Sequence, residues 1–252
     1  MATGFFLNSL EELHPAGIRG IVRSMTSMQT GFIAVTFLGP AALYFLSRKV
    51  RSPKLAQGIS AAFTVILLGT YVMYLRWMHK NEILELPYAL PMHLCDWAAI
   101  ASVIALLRRN AMAFELAYFW GISGTLQALF TPAINMEPGV RTWIFFIIHS
   151  AIPASVFWLM FEFGMRPRKG GMWKVLVWSE VYLVCALMMN SIWNDANFGF
   201  LHHRPAQKTM LDLFPDPHWL YVLCINATAV VFFLVLDLPW YLRERLRGTR
   251  NA

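Results

Sequence analysis

The stretch Thr142–Gly164, TWIFFIIHSAIPASVFWLMFEFG, decides the architecture. Its single formal charge is Glu162. A helix of this length extends roughly 34 Å, enough to cross a hydrocarbon core of about 30 Å. Six further runs meet the same requirement: Thr30–Ser47, Gln57–Met78, Pro91–Leu107, Met112–Thr131, Trp173–Trp193 and His218–Leu242. The third is the shortest. The expected fold class is all-α, a polytopic membrane protein built as a seven-transmembrane-helix bundle. Residues 1–28, with Phe5, Phe6, Leu7 and Leu10 ahead of Glu11, Glu12 and Pro15, are expected to lie in the bilayer interface. The bundle is expected over residues 29–243 and a basic cytoplasmic tail over 244–252.

Composition agrees with this reading. Of 252 residues, 58% are hydrophobic and 14% charged, and the mean hydropathy is +0.50. A soluble domain carries about a quarter charged residues. The net charge of +7 does not point to nucleic acid, because the basic residues lie between apolar runs instead of on one soluble face. They act as topology signals. The connections after runs one, three and five, together with the C-terminal tail, hold 14 Lys and Arg, and the opposite side holds 7. The positive-inside rule then places the N-terminus outside and the C-terminus in the cytoplasm of a cell-membrane protein. The segment Met1–Thr30 contains Glu11, Glu12, Arg19 and Arg23 and lacks the apolar core of a signal peptide. Cys95, Cys185 and Cys224 lie far apart inside apolar runs, which excludes a disulfide framework or a C-x-x-C metal site.

With that topology all seven histidines fall on the outer side: His14, His79, His93, His149, His202, His203 and His218. His149 is expected about 10 Å down from the outer end of its helix. Cys95, Asp96, Gln127 and Asn190 are expected at comparable depth. Ionisable and polar groups at membrane depth are costly and mark cavities or functional sites. His14, His79 and His218 read as ordinary interfacial residues.

The run Leu90-Pro91-Met92-His93-Leu94-Cys95-Asp96-Trp97 concentrates the chemistry. Helical spacing puts His93 and Asp96 on one face, where Asp96 would hold the imidazole in one tautomer. Cys95 points elsewhere around that helix, so its candidate base is His149, arriving from another helix. Against this stands the plainer reading of Cys95 as a small apolar core residue, as for Cys185 and Cys224. A zinc site from His93, Cys95, His149 and His202-His203 has suitable ligand types, but an H-x-C pair on a helix diverges. No metal or other cofactor is expected. Helix seven carries no Lys, which excludes a retinal Schiff base. Gly121, Gly124 and Thr125 suit close helix packing, and Glu180 a structural pair. Asn190 and Asn194 suit interhelical hydrogen bonding and cavity lining equally.

Several of these motifs resemble a known group. The Leu90–Asp96 run, then Phe114-Glu115-Leu116-Ala117-Tyr118-Phe119-Trp120-Gly121 continuing through Gly124-Thr125-Leu126-Gln127-Ala128-Leu129, is similar to the YwaF-type bacterial integral membrane proteins. So are His149, the Asn-rich end of helix six, Phe200-Leu201 with Arg204-Pro205, and Leu211-Asp212-Leu213. That group is related to the transmembrane protein 164 family, whose relative is implicated as a cysteine-centred acyltransferase acting on phospholipids. The resemblance implies Cys95 as acyl-accepting nucleophile and His149 as general base. It implies His93, Asp96, Gln127 and Asn190 as supporting residues of one cavity, with membrane phospholipids as substrates and no cofactor. The stretches Asn197–Pro205 and Phe214–Trp219 depart from the group's pattern. The alternatives from other classes are a transporter or channel with an outward-facing polar cavity, a lipid hydrolase on the same residues, and a non-catalytic scaffold.

Overall fold

The computed structural model describes residues 26–193 and 195–248, and all of their regular secondary structure is helical. The expected interfacial segment up to residue 25, with His14, Arg19 and Arg23, lies outside the described residues. So do Asn194 and the last four residues of the tail. The elements are α1 (Ser27–Val50), α2 (Pro53–Lys80), α3 (Leu94–Arg108), α4 (Ala111–Trp120), a π-helical turn (Gly121–Thr125), α5 (Leu126–Phe130), α6 (Val140–Phe163), α7 (Gly171–Ile192) and α8 (His218–Gly248). A single helical turn, Leu86–Ala89, precedes α3, and two 3₁₀ turns, Phe198–Phe200 and Met210–Leu213, lie between α7 and α8.

Among the described residues five helices are long and apolar enough to cross a bilayer: α1, α2, α6, α7 and the His218–Arg243 part of α8. The chain is a multi-pass helical membrane protein. The third and fourth expected runs differ from the expectation in length and regularity. Pro91 lacks an N–H and disfavours helical backbone in the residue before it, and Leu90 is extended at φ −70°, ψ 136°. The third helix therefore starts at Leu94 and has 15 residues, about 22 Å of rise. The fourth run is interrupted by the π turn, whose extra residue per turn breaks the α register before α5.

Helix α6 is the hub, packed by α1, α2 and α3. In its most apolar stretch 67% of the residues are buried, against 17% for α1 and 11% for α8. A helix apolar all round needs either protein or lipid on every side, so α6 is the core element and the others present their outer faces to lipid. Val65, Phe45 and Leu38 are among the large apolar side chains left outside. Polar side chains lock the ring of helices. Arg109, in the left-handed conformation that closes α3 (φ 52°), and Trp158 of α6 both donate to the Ser60 hydroxyl at 3.0 Å. Glu115 of α4, fully buried, accepts the Arg168 N–H, Nε–H and a guanidinium Nη–H at 2.7–2.9 Å. Tyr118 donates to Leu236 O at 3.0 Å and accepts from Trp240, pinning the far half of α8 to α4.

Candidate functional site

The start of α3 is set by its own side chains. His93 is the N-cap, with extended backbone at φ −77° and ψ 154°. Asp96, three residues on, returns its carboxylate to the His93 N–H at 2.9 Å, as a capping carboxylate does. Asp96 was expected to orient the imidazole, because helical spacing brings the two side chains to one face. His93 sits before the helix, so that spacing does not apply, and the carboxylate bonds its backbone. The His93 ring is held by aromatic neighbours instead, Phe198 at 5.5 Å and Phe200 at 6.1 Å.

Cys95 occupies the second position of α3, in a first turn whose backbone N–H groups carry partial positive charge. His149 is nine residues into α6, about 13 Å along the axis and deeper than the sequence suggested, because the helix begins earlier. It is 8% exposed. Its ring stacks on Phe145 at 4.1 Å, and Nδ1 lies 2.8 Å from Phe145 O. A carbonyl only accepts, so Nδ1 carries the hydrogen and a neutral imidazole keeps its lone pair on Nε2.

Cys95, His93, His149 and Gln127 line one cavity of about 220 Å³. Gly124, Thr125 and Thr131 complete its helical wall, and Gly199, Phe200, Pro205, Thr209 and Leu211 close it from the α7–α8 connection. Four of the six residues singled out from sequence thus meet. Asp96 and Asn190 do not line the cavity. Asn190 accepts the Phe198 N–H at 2.8 Å and donates to Phe198 O at 3.1 Å, fixing the turn that forms the lid side of the cavity. Both residues were expected inside because polar groups at that depth were taken to face a cavity; they instead satisfy backbone groups of its walls. His202 and His203 stand outside the lining, and among the described residues no group of three or more His, Cys, Asp or Glu is close enough to share a metal ion.

Sequence reasoning placed Phe200, Pro205 and Leu211 in family-like motifs without assigning them to the site, and it missed the part played by Gly199 and Thr209 of the same connection. Gly199 adopts φ 66°, a left-handed conformation that glycine takes without penalty, and this turns the chain back over Cys95's helix. No apolar periodicity announces such a turn. The π turn was also missed. Its distinguishing bond runs from the Leu126 N–H to Gly121 O, five residues back. Gly121 is required there, because a Cβ would meet Ile152 Cγ2 of α6 at 2.9 Å.

Fold and cavity together define a class: a multi-pass helical membrane protein with a thiol and an imidazole lining one cavity. A family model described as the TMEM164 family matches residues 23–237, and the chain belongs to that family. An uncharacterized protein of Treponema pallidum (strain Nichols) is 25% identical over 204 residues, 78% of this chain and 79% of that relative. No solved structure matches.

Proposed function

We propose that the protein moves fatty acyl chains between membrane phospholipids by nucleophilic catalysis at Cys95. The observation that carries this reading is the shared cavity, in which His149 presents an unprotonated Nε2 and Cys95 stands at a helix N-terminus. Family membership supports it. Nε2 takes the proton from the Cys95 thiol, and the thiolate attacks the carbonyl carbon of a glycerophospholipid ester. The ester C–O bond breaks, the imidazolium returns its proton to the departing alkoxide, and a lysophospholipid leaves behind a thioester. An acceptor hydroxyl, deprotonated by the same Nε2, then attacks the thioester, the C–S bond breaks, and the thiolate regains its proton. Backbone N–H groups at the start of α3 serve the carbonyl oxygen as its negative charge develops. Gln127 and His93 contribute polar contacts to the ester, while Asp96 and Asn190 hold the walls.

A cavity of this size takes the ester end of a lipid, since drug-sized ligands need about 300–1,000 Å³. The chains remain in the bilayer. In this reading all seven apolar runs reach into the membrane, α3 and the broken α4–α5 as shorter insertions around the site, with the N-terminus outside and the C-terminus cytoplasmic.

The test uses Cys95→Ala and His149→Gln in purified, nanodisc-embedded protein supplied with an isotope-labelled diacyl phospholipid and an unlabelled lysophospholipid. Label should pass to the acceptor lipid with the parent protein, with no transfer by Cys95→Ala and a loss of about a hundredfold or more in His149→Gln. Transfer that persists in Cys95→Ala sinks the proposal. Release of free fatty acid without transfer replaces the acyltransferase with a hydrolase on the same residues.

A further inference from the structure

One face of α7, at the i, i+4, i+8 positions Tyr182, Ala186 and Asn190, is buried against the connection that closes the cavity. Away from it, Trp173, Val177, Glu180, Val184 and Ser191 follow one another at spacings of four, three, four and seven residues. That is the heptad spacing of a helix built to pair with another helix. Trp173 is 63%, Val177 64% and Val184 55% exposed, and Glu180 and Ser191 are exposed as well. Glu180 is the anomaly in this seam. It is the tenth residue of α7, about 14 Å and about 18 Å from the two helix ends, and so stands near mid-bilayer. An ionisable side chain turned to lipid at that depth is costly. Its Oε1 accepts an amide N–H from Asn226 of α8 at 2.7 Å. Neither side chain makes another hydrogen bond among the described residues. The pair is left with one N–H, the Asn226 carbonyl oxygen and Glu180 Oε2, none of which a lipid chain can satisfy.

What covers this seam has to bring a donor and acceptors to the depth of Glu180, with apolar side chains on either side of it. A second copy of the chain does both. Two copies share one orientation in the bilayer, so their α7 helices run parallel, and a two-fold axis along the membrane normal sets Glu180 opposite Glu180. The spare Asn226 N–H of each copy then meets the acceptors of the other, in both directions. β-branched Val177 and Val184 at alternate seam positions favour a two-stranded pair, and one polar position between them fixes its register. A basic helix from another protein would answer the carboxylate and leave the Asn226 N–H without an acceptor. We propose that the protein self-associates in the bilayer through the Trp173–Ser191 seam of α7, with Glu180 and Asn226 hydrogen-bonded across the two-fold axis. The contact is independent of the chemistry at Cys95.

Two populations of the full chain, carrying donor and acceptor monomeric fluorescent proteins at the C-terminus, test this in phosphatidylcholine liposomes over a series of lipid-to-protein ratios. Energy transfer should persist at dilutions where random proximity is lost. Glu180→Leu, which makes α7 only more apolar, should weaken association about tenfold. Glu180→Gln keeps an acceptor, adds a donor and should retain it. A second measurement leaves Glu180 in place. In a Cys185→Ala, Cys224→Ala background, Val177→Cys and Val184→Cys should each cross-link to themselves when native membranes are oxidised, above a control that keeps only Cys95. Trp178→Cys, exposed but about 100° around the helix from Val177, should not. Energy transfer at the random level in the parent overturns the proposal and leaves lipid as the cover of the seam. Transfer undiminished in Glu180→Leu overturns it as well, because another surface then holds the copies. So does a loss in Glu180→Gln as complete as in Glu180→Leu, the mark of an ion pair instead of a hydrogen bond. Cross-linking through Trp178→Cys in preference to Val177→Cys and Val184→Cys rules out this seam.

Discussion

Gly171 shows how little freedom a single position retains in this bundle. A Cβ there would meet Glu115 Oε1 at 2.5 Å and the Glu115 carboxyl carbon at 2.7 Å. Glu115 in turn is fully buried and fastens the Arg168 backbone and guanidinium. Glycine at the start of α7 is thus what allows a carboxylate on α4 to reach the loop before it. Gly171→Ala should lower stability by about 1–3 kcal/mol, the usual effect of forcing a methyl group into a filled site, read as a drop in apparent Tm. Glu115→Ala should cost about 3 kcal/mol, because Arg168 N–H loses its acceptor along with the ion pair. If Glu115→Ala is neutral, the pair does not hold the loop. The sequence put Glu115 inside a motif that resembles a family but gave no hint of its partner, 53 positions away. Cys95 and His149 were legible for a different reason. Polar atoms inside apolar runs stand out without any knowledge of contacts.

At the level of elements, the pieces that make the site are those whose regularity fails. α5 ends on carbonyls that have no helical partner, and Gln29 of α1 supplies donors, its Nε2 reaching Leu129 O at 2.8 Å and Phe130 O at 3.1 Å. Gln29 is 4% exposed. Gln29→Leu removes both bonds and should cost about 1–3 kcal/mol, with thermal unfolding as the measure. The long, uninterrupted helices were readable from hydropathy alone, because length and apolarity fix them locally. The start of α3 was readable only in part: Pro91 forecasts an irregular entry, but whether Asp96 faces a ring or a backbone amide depends on where the helix begins. The π turn and the left-handed Gly199 were not readable, since both answer to neighbours far along the chain.

For the whole molecule, the distribution of 14 basic residues against 7 is the basis of the proposed orientation, which fusions can check. Green fluorescent protein at the C-terminus should fluoresce, and alkaline phosphatase at the same point should stay inactive; the reverse pattern would invert the proposed topology. The described helices also differ widely in how firmly they are held. α6 is enclosed, while α8 is attached through Tyr118, Trp240 and Phe233 at one end and through the Tyr221 hydroxyl, 2.9 Å from Phe200 O, at the other. Its outer face, including Trp219, Leu223, Val231 and Val235, is exposed along most of its length. In the proposed acyltransferase reading, a cavity closed by the connection that leads into so lightly clad a helix is supplied from within the plane of the bilayer. The quantity that governs its occupancy is then a mole fraction among lipids, not a molarity in water. Turnover should follow surface dilution: adding inert lipid at constant bulk substrate slows the protein, and adding buffer does not.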